Sequence, residues 1–332
     1  MSPRPELSPP PAAVDEGGRI RFGRYAGPIP YVNFGGGRGD ALRKKEWHYT
    51  AVTTERHFVA FAVVQLGYVA NVFSYVVDRE KPETPRTMEA LLPLGRGLSF
   101  GESSLEGRTL LDQKGQRIDV RYRLDGFHVE LDLDVDGARL RGAFDCQAGP
   151  GFSLVHSLGS GRIAYTHKAA TYRVTGTLAH GDTSILPAEG ALGTIDWTRS
   201  IARRTTRWKW ASLSTHAEDG TALGLNLSAD VYDDANGDSE ENVFFDGDRT
   251  IPLGGVDFQV PRSPRTMPWH VSSKKGSEVD LVFTPFGARG QVLDLGVLKS
   301  DFVQPYGLFH GRILDRTIDG AFGVVENHLS VW

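Results

Sequence analysis

The chain has 332 residues, with 37 Lys and Arg against 41 Asp and Glu, a formal net charge of −4. That balance excludes the basic face a nucleic-acid binder needs. With 40% hydrophobic and 23% charged residues there is material for a packed core, which excludes a disordered or fibrous chain. The single cysteine, Cys146, excludes an intrachain disulfide framework and any multi-cysteine zinc or iron–sulfur centre.

The 39 glycines and 18 prolines break the chain often and favour many short strands over long helices. Residues 1–18 are Pro-rich, lack the apolar core of a secretory signal, and are expected to form a disordered tail on a cytoplasmic protein. Phe58–Val77 is uncharged and long enough to span a membrane as a helix. Its Val, Phe and Tyr content, interrupted by Gln65, Asn71 and Ser74 with Gly67 near the middle, instead predicts a buried β-hairpin. No integral membrane span is therefore expected. Arg117–Leu124 and Phe127–Val135 alternate polar and apolar residues, as half-buried strands do, and Asp125-Gly126 between them signals a hairpin turn. Ala138–Phe144 continues an antiparallel meander, and Glu278–Phe283 and Arg312–Leu314 have the same character. The one helix-like stretch is Thr198–Trp210, free of Gly and Pro and capped by Asp196.

The chain repeats itself. Gly190-Ala-Leu-Gly-Thr-Ile-Asp196 resembles Gly320-Ala-Phe-Gly-Val-Val-Glu326, and Tyr172–Gly176 resembles Tyr306–Gly311 in the same order. Lys45-Glu46-Trp47 and Trp208-Lys209-Trp210 each precede a strand pair. Such self-similarity predicts a duplicated domain, with halves at 19–198 and 199–332. Closing each half into an antiparallel barrel would hide its many edges.

Familiar motifs are few. Gly35-Gly-Gly-Arg-Gly-Asp40 lacks the Gly-Lys-Ser/Thr of a phosphate loop, and its Arg-Gly-Asp reads as a chance tripeptide. No dinucleotide fingerprint or zinc-protease motif appears, so no cofactor and no metal are expected. The acidic stretch Asp230–Asp248 fails the register of a calcium loop, with Ser239 at the turn glycine and Phe245 at the bidentate carboxylate. It reads as a solvated hairpin loop. Glu326 and His328, two apart on a strand, share one face. If that face is the barrel interior, they could form a general acid/base pair; otherwise they are a structural pair near the chain end. Asp196 is followed by Arg199, Arg203, Arg204 and Arg207 and reads as a salt-bridged anchor or a second catalytic carboxylate. Trp47, Trp197, Trp208, Trp210 and Trp269 could line an apolar pocket or belong to the core. Asn71, Asn226 and Asn242, in apolar strands, are either network members or ligand contacts.

Further residues carry a resemblance. Lys45-Glu-Trp-His-Tyr49, Asp196-Trp-Thr-Arg199, Trp208-Lys-Trp-Ala-Ser212, Glu241-Asn-Val-Phe-Phe-Asp-Gly247, Gln304-Pro-Tyr306-Gly307 and Glu326-x-His328-x-x-x-Trp332 resemble the family called domain of unknown function 2804, from about Gly23 to Trp332. That family is in turn distantly similar to the double lipocalin-type (calycin) group, which includes carotenoid 1,2-hydratase and tocopherol cyclase. The resemblance implies an all-β fold of two lipocalin-like barrels packed together, and a hydrophobic ligand such as a polyene or isoprenoid. It transfers no catalytic residue.

Three functions follow as expectations. One is a cofactor-independent hydratase, cyclase or isomerase with Glu326 and His328 catalytic, and with Trp210, Asn226, Asn242, Tyr306 and Asp196 against the ligand. A second is a carrier binding a lipid without chemistry. A third is a carbohydrate-binding module, since tryptophans and carboxylates also suit sugars. Fold alone does not separate them.

Overall fold

A computed structural model describes residues 7–37, 39–294, 296 and 299–332. Among them every regular element is a strand, and no helix is long and apolar enough to cross a membrane. The chain divides into two compact units, Ser8–Ala202 and one holding Arg203–Trp332.

The alternating segments become strands where period two places apolar side chains on one face. Gln116–Arg123, Gly126–Val135 and Ala138–Gln147 form the expected meander. His57–Gln65 and Val69–Asp78 pair antiparallel around Gly67, in place of a membrane helix.

In the first unit the main sheet runs in spatial order Arg86–Pro93, Val69–Asp78, His57–Gln65, Lys44–Thr53, Leu192–Ile201, Arg162–His180, Ala138–Gln147, Gly126–Val135, Gln116–Arg123, Gly107–Gln113 and Leu98–Phe100. The second unit repeats the pattern with Arg249–Pro252, Val243–Asp246, Ala222–Ala229, Thr205–His216, Arg316–Val331, Lys299–Ile313, Val279–Asp294, Trp269–Ser273 and Val256–Gln259. In both, an opening strand (Lys44–Thr53 or Thr205–His216) pairs with a closing strand (Leu192–Ile201 or Arg316–Val331). In both, the two edge strands are consecutive in the chain, so each sheet curls into a lipocalin-like half with a single break.

The repeated glycines do the same work twice. Gly190, just before one closing strand, and Gly320, within the other, have φ of 64° and 66°. Gly176 and Gly311, on the strands that pair with the closing strands, have φ of 127° and 135°, and a Cβ there would sit 2.5 Å from the Ala143 carbonyl oxygen and 2.1 Å from that of Asp280. Only glycine tolerates both constraints. Gly311→Ala is expected to destabilise the second unit by about 1–3 kcal/mol. Thermal denaturation of the variant checks this, and an unchanged midpoint would contradict it.

Three expectations change. Thr198–Trp210 is not helical: it holds the end of Leu192–Ile201 and the start of Thr205–His216, and cross-strand pairing overrides its local lack of strand breakers. The expected boundary before Arg199 falls inside a strand that continues to Ile201. Within the expected tail, residues 1–6 lie outside the described residues, as does Arg38 of the Gly-rich run. Residues 8–18, in contrast, are placed in the first unit: Val14 is fully buried, and Asp15–Glu16 pairs with Arg19–Ile20. Burial of Val14 supplies the apolar anchor that composition alone did not suggest.

The two interiors differ. The second is apolar, built on Leu213, Leu225, Phe244, Trp269, Phe283 and Phe309. The first also encloses polar side chains. The His48 ring nitrogens meet the hydroxyls of Thr50 and Tyr122, each at 2.7 Å. Ser153 Oγ lies 3.1 Å from both Tyr165 Oη and His167 Nδ1. Burial pushes His48 and His167 down to about 3 and holds both neutral. In the unfolded chain each returns to about 6.5, so between pH 6.5 and 3 the unfolded state binds more protons. Stability from these groups is then complete above about pH 6.5 and is lost as the pH falls toward 3. Urea denaturation from pH 7 to pH 4 should show the decline, with a shallower slope in His48→Gln; an identical slope would exclude His48 as a source.

Candidate functional site

The closing strand of the second unit, Arg316–Val331, presents two faces. Ala321 and Val325 join the apolar core. Glu326, His328 and Ser330 alternate with them and so lie on the opposite face of the sheet. The pair is therefore on one face, as the spacing implies, but that face is not the barrel interior. The reason is parity: Val325 is the residue that points inward, and its neighbours cannot.

Glu326 is 7% exposed. Trp208 Nε1, on the opening strand, donates to its Oε1 at 2.6 Å, and Gln304 Nε2, on the penultimate strand, donates to its Oε2 at 2.8 Å. His328 Nδ1 stands 3.7 Å from Oε1 and has no hydrogen-bond partner. On its other side, His328 Nε2 lies 2.9 Å from the hydroxyls of both Ser300 and Ser330. Those hydroxyls can donate or accept, so they suit either tautomer. The His328 ring packs 4.1 Å from Trp208 and 5.0 Å, edge-on, from Phe302, measured between centroids. A carboxylate and an imidazole thus meet within an aromatic surround, where a proton could move between either group and a molecule lying against the rings.

The first unit carries a copy of this arrangement with different chemistry. Trp47 faces Thr198 across the opening and closing strands as Trp208 faces His328. Trp47 Nε1 donates to Asp196 Oδ1 at 3.1 Å. Lys168 stands where Gln304 stands in the second unit, and its Nζ lies 2.6 Å from Asp196 Oδ2, with both side chains 10% exposed or less. Thr198 replaces His328 and donates to Asp196 at 3.1 Å. Asp196 is therefore salt-bridged, but to Lys168 rather than to the arginines that follow it. Arg199 points to the opposite face and pairs with Glu46 at 2.7 Å, while Arg203, Arg204 and Arg207 are exposed.

The other candidates fall into two groups. Trp210 and Tyr306 share the outer face with Glu326, at 7% and 2% exposure. Tyr306 lies 6.3 Å from Phe322 between ring centroids, and a Cβ on Gly287 would fall 2.1 Å from its hydroxyl, so Gly287 makes room for it. Asn226 and Asn242 are network members. Asn226 accepts from Trp210 Nε1 at 2.8 Å and donates to the Glu241 carbonyl at 3.0 Å. Asn242 accepts from the Ser228 amide at 2.7 Å and donates to the Gly254 carbonyl at 2.9 Å. Asn226 thereby orients Trp210. In the acidic loop, Asp234 Oδ1 accepts the backbone amides of Asn236 and Asp238, at 2.7 and 3.0 Å. Among the described residues no three His, Cys, Asp or Glu side chains converge as metal ligands.

Lys168, Phe302, Ser300 and Ser330 were not singled out in the sequence, and Gln304 stood there only in a motif that carries the family resemblance. A signal was present, because each closing strand needs a second neighbour on the side away from the opening strand. Register shifts between Ala169 and Tyr172 and between Phe309 and Gly311 obscure it by changing the offset between the halves.

The chain is similar in structure to kievitone hydratase from Nectria haematococca, with 11% identity, 92% of this chain and 94% of that one covered, and a TM-score of 0.45. A putative AttH from Nitrosomonas europaea gives 14% identity, 89% and 94% coverage, and a TM-score of 0.46. CghA gives 10% identity, 87% and 88% coverage, and a TM-score of 0.48. Comparison with curated protein sequences gives no match. The model of one family, domain of unknown function DUF2804, matches residues 5–332, and the chain belongs to that family.

Proposed function

We propose that the chain binds a hydrophobic small molecule against the aromatic outer face of its second unit, and that Glu326 and His328 exchange a proton with it. The reaction class is a cofactor-independent hydration, cyclisation or isomerisation of an olefinic, isoprenoid-like substrate, carried out in the cytoplasm. One observation supports this above the rest: the two halves hold the same Trp-bound carboxylate, but the first pairs it with Lys168 and the second with the side-chain amide of Gln304, with His328 at 3.7 Å. A carboxylate not held by a lysine or arginine can exchange a proton with its neighbours during a reaction. In hydration, the acid member gives its proton to an olefinic carbon and the adjacent carbon becomes cationic. Aromatic faces stabilise that cation. Water then adds through oxygen and returns a proton to the conjugate base, so protons and electrons balance.

A carrier without chemistry is the second reading. It is favoured by the fact that both Glu326 oxygens already accept hydrogen bonds. Native mass spectrometry of the purified protein, followed by organic extraction, tests the shared claim. An apolar molecule is expected to co-purify and to be lost or weakened in Trp208→Ala. A polar sugar or nucleotide in its place, in repeated preparations, would sink both readings.

A further inference from the structure

We propose that one end of the first unit docks on an anionic lipid bilayer, with Leu42 and Leu94 entering the headgroup region and Arg43 and Arg96 meeting its negative charges. The surface belongs to a different unit from the Glu326–His328 pair and does not rest on the reading of that pair.

Three connecting segments meet there. Residues 40–43 lead into Lys44–Thr53, residues 66–68 join His57–Gln65 to Val69–Asp78, and residues 94–97 join Arg86–Pro93 to Leu98–Phe100. Printed on the fold as separate loops, they are held as one body. Lys45 Nζ donates to the carbonyls of Leu42 and Leu66, at 2.6 and 2.7 Å, and lies 5.1 Å from the Tyr68 ring centroid. The Leu94 amide donates to the Tyr68 carbonyl at 3.1 Å. A Cβ on Gly67 would fall 2.6 Å from the Ala41 carbonyl oxygen, and one on Gly95 would overlap Gln65 Nε2.

This body holds apolar side chains outward. Leu42 is 68% exposed, Leu94 69%, and Leu91, near the end of the edge strand, 51%. Leu94 carries two costs at once. Its side chain faces water, and its φ is 57°, a left-handed conformation that strains leucine and suits glycine or asparagine better. Folding calls for neither, since a small polar residue would remove both. An apolar surface kept against such costs marks a contact with a partner.

The charges select that partner. Arg43 follows Leu42 directly, Arg96 is two residues from Leu94, and both are exposed. The carboxylates around them are engaged. Asp40 accepts the Gly37 amide at 3.2 Å, Glu46 pairs with Lys44 and Arg199, Glu89 accepts from Asn71, and Asp112 pairs with Arg117. The surface is thus locally positive on a chain whose net charge is −4. Leucines on loop tips beside arginines suit a bilayer, which takes up apolar side chains and offers negative headgroups at one depth. A second copy docked face to face would set arginines against arginines.

The full chain is to be sedimented with vesicles of phosphatidylcholine alone and of phosphatidylcholine with phosphatidylserine. Binding is expected to the phosphatidylserine vesicles and should weaken as salt is raised. Arg43→Gln and Arg96→Gln should each lower it about fivefold. Leu42→Ser combined with Leu94→Ser should lower it about tenfold or more. Leu94→Asn should weaken binding while raising the thermal denaturation midpoint, which shows that the loss is not one of folding. No binding to phosphatidylserine vesicles overturns the proposal. So does binding that the two leucine substitutions leave within about twofold. An oligomer that the leucine variant dissolves, with no vesicle binding, assigns the surface to a second copy and overturns the lipid reading. None of these results bears on whether an apolar molecule co-purifies, so the two readings fail separately.

Discussion

Glu326→Gln is expected to slow conversion of the ligand by ~10²–10⁴-fold, the usual contribution of a general acid or base. Binding should change by no more than about twofold, because burial of apolar area dominates affinity for such a molecule. The substitution keeps the size of the side chain and its acceptance of the Trp208 hydrogen bond at 2.6 Å; it removes the charge and the exchangeable proton. Asp196→Asn makes the informative comparison. There the side chain answers Lys168 at 2.6 Å, and Lys168 is 5% exposed. Removing the negative charge takes away this buried ion pair and costs on the order of 3 kcal/mol of stability, with no loss of turnover in the protein that remains folded. Rates measured by liquid chromatography–mass spectrometry on the extracted ligand, alongside urea denaturation, separate the two. Equal rates for Glu326→Gln and the unmodified protein would leave the carrier reading.

Arg199→Met is expected to have the largest effect on stability, about 3–5 kcal/mol. Arg199 and Glu46 are both 3% exposed and joined at 2.7 Å. The same guanidinium donates to the carbonyl of Val32 at 2.7 Å and to that of Gly101 at 2.8 Å. It ties the closing strand to the N-terminal segment and to a loop of the first unit. The Met variant strands a buried carboxylate whose remaining ion-pair partner is the half-exposed Lys44 at 3.1 Å, and it orphans two carbonyls. In the double variant Arg199→Met with Glu46→Gln, part of the loss should return, because the uncompensated charge is gone. A double variant no more stable than the single one would assign the effect to the carbonyls, not to the ion pair.

Both predictions depend on features of unequal legibility. The amino-acid sequence by itself determined the strand content, the hairpin at Gly67, the meander and the duplication. Each is encoded locally: alternation has a period of two residues, turns need particular dihedral angles, and Gly190 and Gly320 recur where the backbone takes φ near +65°. It also placed Glu326 and His328 on a common face, for the same reason of period. Tertiary structure alone decided which face that is, because parity is silent about where the core lies until Val325 is seen to join it. It alone decided the partners. Gln304 reaches Glu326 across 22 residues of chain, and the register shift between Phe309 and Gly311 in the hairpin that joins them sets that pairing. The difference between a carboxylate held by Lys168 and one held by Gln304 therefore emerges only when the strands are paired, since a cross-strand neighbour is fixed by register and not by distance along the chain.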